Sequence, residues 1–116
     1  MFEPGDVVIV DFPGAQGVKR RPGVVLSTQT YHRDRPDVIL GLLTTRIPAK
    51  LAPTDYVPND WGAAGLHQPS VFRAYLATLD RSELSQPVGR LIAGDWCEVR
   101  KRCRLAVDIA AAATDP

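Results

Sequence analysis

The chain has 116 residues, 45% of them hydrophobic and 23% charged, with a formal net charge of +1. This describes one ordinary soluble globular domain, long enough to bury a core without metal or disulfide staples, and its charge does not by itself point to nucleic acid. No stretch approaches the ~20 apolar residues of a membrane span, and Glu3, Asp6 and Asp11 interrupt the amino-terminal apolar run, so a cytoplasmic protein with no leader and no membrane is expected.

In chain order, Gly5-Asp6 opens a β-branched strand over 7–12, bounded by Pro13-Gly14. A loop with Gly17 as hinge follows over 15–20, then a strand over 23–27. After a polar connection (28–36) comes a strand over 37–45, whose Val38-Ile39-Leu40 and Leu42-Leu43 are too continuous for one face to meet solvent. Short connections make these three strands neighbours in one sheet. The middle, 47–69, is rich in Pro, Ala and Gly, with a short strand at Asp55-Tyr56-Val57 and a turn at Asn59-Asp60-Trp61-Gly62. Another strand is expected over 68–75, a helical turn over 81–84 and an extended piece over 88–91. The long helix starts at Ala93-Gly94-Asp95 and runs to about Ala112, with Asp95 as N-cap and Glu98 completing a capping box. Trp96, Val99, Cys103, Val107 and Ala110 recur at three- and four-residue intervals as its apolar face. Residues 111–116 are expected to fray.

Cys97 and Cys103 lie six apart in that helix, badly aimed for a disulfide, and no Cys/His set has zinc spacing. Reduced, half-buried thiols are expected, with no metal and no cofactor. Charge is unevenly distributed: from Lys19 to Lys50 there are seven Lys/Arg against two acids, Asp34 and Asp37, so one face is locally positive. Within it, Lys19-Arg20-Arg21 runs into Pro22-Gly23-Val24-Val25-Leu26-Ser27. Pro22 fixes its own φ and biases Arg21 toward an extended backbone. A fork-shaped cation is thereby held at a sheet rim, as recognition of a phosphate requires.

Five segments, in this order, resemble the MazF/PemK family of toxin endoribonucleases, in its PemK-like branch. They are Gly5-Asp6-Val7-Val8-Ile9-Val10-Asp11-Phe12; residues 19–27; Leu42-Leu43-Thr44-Thr45-Arg46; Gly65-Leu66-His67-Gln68-Pro69-Ser70-Val71-Phe72-Arg73; and Thr78-Leu79-Asp80-Arg81-Ser82 with Val88-Gly89-Arg90-Leu91. The resemblance covers residues 4–108 and implies a β-rich (α+β), SH3-like small β-barrel with a C-terminal helix, one domain over 1–116, acting as a homodimer. It implies metal-independent, sequence-selective cleavage of single-stranded RNA and neutralisation by a cognate antitoxin. The family's catalytic Arg before Pro falls on Arg21 and its hydroxyl residue at the end of the third strand on Thr44. The strand near site and dimer interface falls on Ser70 to Arg73. Two departures stand out: the segment 13–20 is short for a substrate-gating loop, and Tyr75-Leu76 stands where relatives carry polar residues.

Such chemistry needs the 2′-OH deprotonated, a dianionic phosphorane stabilised and the leaving 5′ oxygen protonated. Arg21 suits the second task, being permanently charged, planar and bidentate, and is a poor base in water. Thr44 would donate to a non-bridging oxygen. Lys19, Arg20, Arg46 and Lys50 would hold the RNA backbone, with Thr45, Ser70, Arg73 and His32 completing the RNA-binding set. Tyr31, Tyr56, Trp61 or Phe72 would stack unpaired bases. His32, beside Arg33 and Arg35, is read as an exposed loop histidine, and His67 as a binding rather than a catalytic residue. The alternatives are a non-catalytic toxin on the same barrel that binds DNA gyrase, as CcdB does, and a catalytically silent antitoxin-binding relative.

Overall fold

The computed structural model describes residues 1–14 and 17–108. The β-branched run Val7-Val8-Ile9-Val10 builds β1 (Asp6–Gly14), which folds back on β2 (Gly17–Val25) in antiparallel register from Val7 opposite Val24 to Gly14 opposite Gly17. Residues 17–20 are therefore one arm of a hairpin rather than loop, because each finds a pairing partner on an extended β1; the tip, 15–16, lies outside the described residues. Gly17 enters the arm at φ +101°, which costs glycine nothing. β2 stops at Val25, short of the expected Ser27, although the Leu26 amide still donates to Ile39 at 2.9 Å.

The polar connection contains a helix, α1 (Gln29–Asp34), because Thr28 caps it, its hydroxyl accepting from the Tyr31 amide at 3.3 Å. Arg81 closes the other end by donating to the carbonyls of His32 and Arg35. Next come β3 (Asp37–Thr44) and β4 (Val71–Asp80), the latter starting three residues later and ending five residues later than the strand expected over 68–75. A 3₁₀ turn at Arg81–Glu83 carries a true capping box: Asp80 accepts from the Ser82 amide and Glu83 from the Asp80 amide. The strand expected at 55–57 shrinks to a single bridge between Tyr56 and Phe72.

After the two-residue β5 (Gly89–Arg90), α2 (Ala93–Ala106) ends well before the expected Ala112. Val107 lies just past its C-terminal end, while Ala110 and the tail lie outside the described residues. Asp95 is not the N-cap. Ile92 holds that position without a side-chain bond, since the Asp95 carboxylate is turned inward onto Tyr56, Asn59 and Asp60. Glu98 bonds forward to Lys101 and Arg102 instead of back to the cap. Trp96, Val99 and Cys103 do form the buried face, and Cys97 and Cys103 are free, half-buried thiols.

Among the described residues five strands form one antiparallel sheet in the order β4-β3-β2-β1-β5. Strand alternation gives it two apolar faces. Val7, Val24, Leu43 and Phe72 pack under α2 with Leu91 and Val99, while Val8, Val10, Phe12, Val25, Val38 and Leu40 form a second core on the other face. The sheet is curled. Phe12 of β1 and Tyr75 of β4 have ring centroids 6.1 Å apart although two strands intervene. In a flat sheet three inter-strand steps of about 4.8 Å would hold them far beyond ring contact. The result is the α+β, barrel-like fold with a C-terminal helix that the sequence implied.

β4 carries one irregularity with consequences. Gly41 faces Leu76 and Leu43 faces Phe72, so two positions on β3 oppose four on β4 and two extra residues bulge out around Ala74, which sits at φ 55°. Gly41 belongs to the same device, since a Cβ there would collide with the Phe72 ring.

Candidate active site

The β2–β3 ladder runs from Val25 opposite Leu40 to Gly23 opposite Leu42 and stops. Pro22, the next residue, has no amide hydrogen to continue it. Carried one step further along the same face, that register sets Arg21 opposite Thr44, and the structure brings them together: the Arg21 guanidinium donates to Thr44 Oγ1 at 3.5 Å. The Arg46 amide also donates to this oxygen, at 3.3 Å. Both lone pairs of the hydroxyl are thus engaged, which leaves its own proton to donate outward. Thr44 is buried and Arg21 half-buried, and among the described residues no carboxylate pairs with Arg21.

The other expected site residues divide into three groups. Lys19 is exposed two residues before Arg21 on the same strand face, while Thr45, Arg46 and Lys50 are exposed at and beyond the end of β3. Arg20 faces the opposite way, toward Asp11, at 3.9 Å in an open and therefore weak ion pair. A second group is engaged elsewhere. The bulge aims Arg73 at the buried Asp55, which it grips through Nε at 3.1 Å and a terminal nitrogen at 3.3 Å. Ser70 is buried, its hydroxyl donating to the Gln68 carbonyl at 3.2 Å.

His32 is placed elsewhere altogether. It is not an exposed loop histidine: α1 buries it, with 8% of its surface exposed and Nε2 2.6 Å from Ser27 Oγ. Ser27 Oγ also accepts from the Ile39 amide at 2.9 Å, so the serine ties the His32 ring to the start of β3. Burial first, and the nearby Arg81 charge, push the His32 pKa down, against a raising contact with the Phe2 backbone. It touches neither Arg21 nor Thr44.

Of the suggested stacking aromatics, Phe72 is core. Tyr56 donates to Asp95 at 2.6 Å, and burial followed by this bond drives its pKa up. The Tyr31 hydroxyl donates to Asp37 at 2.8 Å.

Beside the Arg21–Thr44 pair lies a groove of about 440 Å³, walled by Ile9, Pro22, Leu66 and Val88 and reached by His67 and Gln68. Gln68 gave no sequence signal, since an exposed glutamine in a loop is unremarkable until the fold sets it beside a site. Among the described residues no helix is long and apolar enough to cross a membrane.

Comparison with known proteins agrees with this fold. Solved structures with the same fold include an endoribonuclease in complex with its cognate antitoxin from a mycobacterial species, 21% identical, TM-score 0.73, covering 96% of this chain and 99% of that one. Mycobacterium tuberculosis toxin MazF-mt6 is 20% identical, TM-score 0.73, over 91% of this chain and 99% of its own. MazF of Deinococcus radiodurans is 25% identical, TM-score 0.73, over 93% and 97%. No curated protein sequence matches significantly. The model of the PemK-like, MazF-like toxins of type II toxin–antitoxin systems matches residues 3–107, and the chain belongs to that family.

Proposed function

We propose that this chain is the toxin of a toxin–antitoxin pair and a metal-independent endoribonuclease that cuts single-stranded RNA. It would act as a cytoplasmic homodimer, held inactive by its cognate antitoxin. The observation that carries this reading is the Arg21–Thr44 contact at the end of the β2–β3 ladder. A guanidinium paired to a hydroxyl rather than to a carboxylate keeps its charge available for a phosphate.

The ribose 2′-oxygen attacks phosphorus, the 2′-O–P bond forms and the P–O5′ bond breaks. One product carries a 2′,3′-cyclic phosphate and the other a 5′-OH. The 2′-OH proton leaves to solvent and the 5′ oxygen takes one up. Arg21 spreads its two-pronged charge over the non-bridging oxygens as negative charge builds there, and the Thr44 proton adds one further donor. Lys19, Arg46 and Lys50 guide the flanking phosphates. His32 has no part, being bonded to Ser27 inside the fold.

The test is cleavage of mixed single-stranded RNA in EDTA by the wild type and by Arg21→Ala. Cutting that ignores EDTA and falls at least ~100-fold in the variant supports the reading, the size expected for loss of one transition-state donor. Equal cutting by both proteins refutes the role of Arg21. No cutting by the wild type favours the non-catalytic toxin, and inhibition of DNA gyrase would then establish it.

A further inference from the structure

α2 covers only part of the sheet face on which it packs. Val7, Val24, Leu43 and Phe72 lie beneath it, but the same face runs on at alternate positions to Leu26 and Ile39, and Leu76, opposite Gly41, extends it. These three side chains are half-buried. Between them and α2 opens a second pocket, of about 580 Å³, walled also by Pro4, Trp96 and Cys103. Its size is that of a small-molecule site, about 300–1,000 Å³. It shares no wall residue with the groove beside the Arg21–Thr44 pair.

Among the described residues the wall holds no carboxylate. Its ionised side chains are Arg100 and Arg104, both exposed and four apart on α2, hence neighbours on one helix face at the pocket mouth. The cations between them, Lys101 and Arg102, are bound to Glu98, whereas Arg100 and Arg104 have no acidic partner among the described residues. Arg100 lies over the Trp96 ring, 5.5 Å from its centroid, which holds the guanidinium at the pocket edge. Burial pushes the Cys103 thiol up, so it stays protonated and adds no competing negative charge. Thr28 is the remaining polar wall residue, and its oxygen already accepts from the Tyr31 amide. A peptide lying here would find few partners for its amides, whereas an alkyl chain brings no polar group to satisfy.

We infer that this pocket binds a medium-chain carboxylate, its alkyl chain against Leu26, Ile39, Leu76 and Trp96 and its head between Arg100 and Arg104. Two unpaired cations over an apolar trough match such an amphipathic anion in both its parts. A neutral chain would leave the guanidinium groups unanswered, and a small anion would leave the apolar wall wet. The site stands apart from Arg21 and does not depend on the nuclease reading.

Hexanoate, octanoate, decanoate and decanol, each below its micelle-forming concentration, are titrated by calorimetry into the wild type and into Arg100→Gln/Arg104→Gln. That variant changes two exposed side chains, and an unaltered melting temperature checks its fold. Wild-type affinity should rise about fourfold per added CH₂, the worth of burying it. The double variant should bind decanoate about fivefold more weakly, the upper range of an exposed ion pair, and decanol as before. Decanoate should also slow alkylation of Cys103 by a maleimide while Cys97 reacts unchanged. No binding by the wild type, an affinity independent of chain length, or decanoate binding untouched in the double variant overturns the proposal. So does an acidic, leucine-rich peptide that displaces decanoate at lower concentration, which assigns the pocket to a protein partner. A sedimenting dimer that excludes decanoate overturns it too, and assigns the face to a second copy of the chain.

Discussion

Asp95→Asn probes the joint that holds the groove segment to the helix. Asp95 is 1% exposed, and its Oδ1 accepts from the Tyr56 hydroxyl at 2.6 Å and the Asn59 amide at 2.9 Å, while Oδ2 accepts from the Asp60 amide at 2.9 Å. Hydrogen bonds to an ionised acceptor contribute about 1.5–3 kcal/mol, against about 0.5–1.5 for neutral partners. Asparagine keeps one oxygen, so two bonds weaken by about 1 kcal/mol each, and its NH₂ confronts the Asp60 amide so that the third is lost. The total is about 4 kcal/mol, which corresponds to a fall of roughly 16 °C in Tm or roughly 3 M in urea midpoint. Acidity supplies an independent sign. Burial pushes the Asp95 carboxyl up, but the Tyr56 hydroxyl and the Asp60 and Asn59 amides outweigh it and hold the pKa below its ordinary 3.8. Its stabilisation is therefore complete above that value and is lost as pH falls through the lower folded one. Asp95→Asn should remove that acid-side slope. A urea titration showing a loss under about 1 kcal/mol, far below what these three bonds predict, would refute the reasoning.

Arg21→Lys keeps the charge but loses the planar fork, so single-turnover cleavage should still fall about 100-fold or more; a Lys variant within threefold of the wild type would show that charge alone suffices. With Lys19, Arg21, Arg46 and Lys50 on RNA phosphates, log affinity against log salt should slope at about −3, each alanine removing roughly 0.7, and a flat response would dismiss the backbone assignment. His32 is held neutral, its folded pKa below the usual 6.5, so the stability it contributes is present above that value and lost on acidification. His32→Gln should flatten the stability profile between pH 7 and 5 while leaving the pH dependence of cleavage unchanged.

What the chain revealed about itself follows the range of the forces involved. Strand alternation and short connections act locally, and they made β1, β3 and the C-terminal helix readable, along with Arg21 ahead of Pro22. The hairpin arm was misread because Pro13-Gly14 and Gly17 look like loop, whereas cross-strand pairing from Val7 to Gly14 overrides that local preference. Asp95 with Glu98 three residues on is a sound capping pattern, yet a contact 39 residues away, with Tyr56, claimed the carboxylate. His32 failed for the same reason: nothing in Tyr31-His32-Arg33 announces that α1 will fold over Ser27. Arg73 could not be known to answer Asp55 before the β4 bulge was seen. Local chemistry was legible, and the buried polar partnerships, all of them non-local, were not.

The same proline explains why the Arg21–Thr44 pair and the groove sit back to back. A proline in an interior strand is tolerated only where no ladder bond is required, and Pro22 stands at the step where β2 parts from β3. Ending the ladder there leaves Arg21 and Thr44 as a facing pair at the rim, their side chains meeting where the next backbone pairing would have been. It also places the proline ring itself in the groove wall on the reverse face. One residue thus fixes the rim on which both the Arg21–Thr44 pair and the groove are placed. Pro22→Ala should consequently loosen the rim and lower the rate at which single-stranded RNA is cleaved. A variant that cuts at the wild-type rate would show that the rim is fixed by the surrounding sheet rather than by this ring.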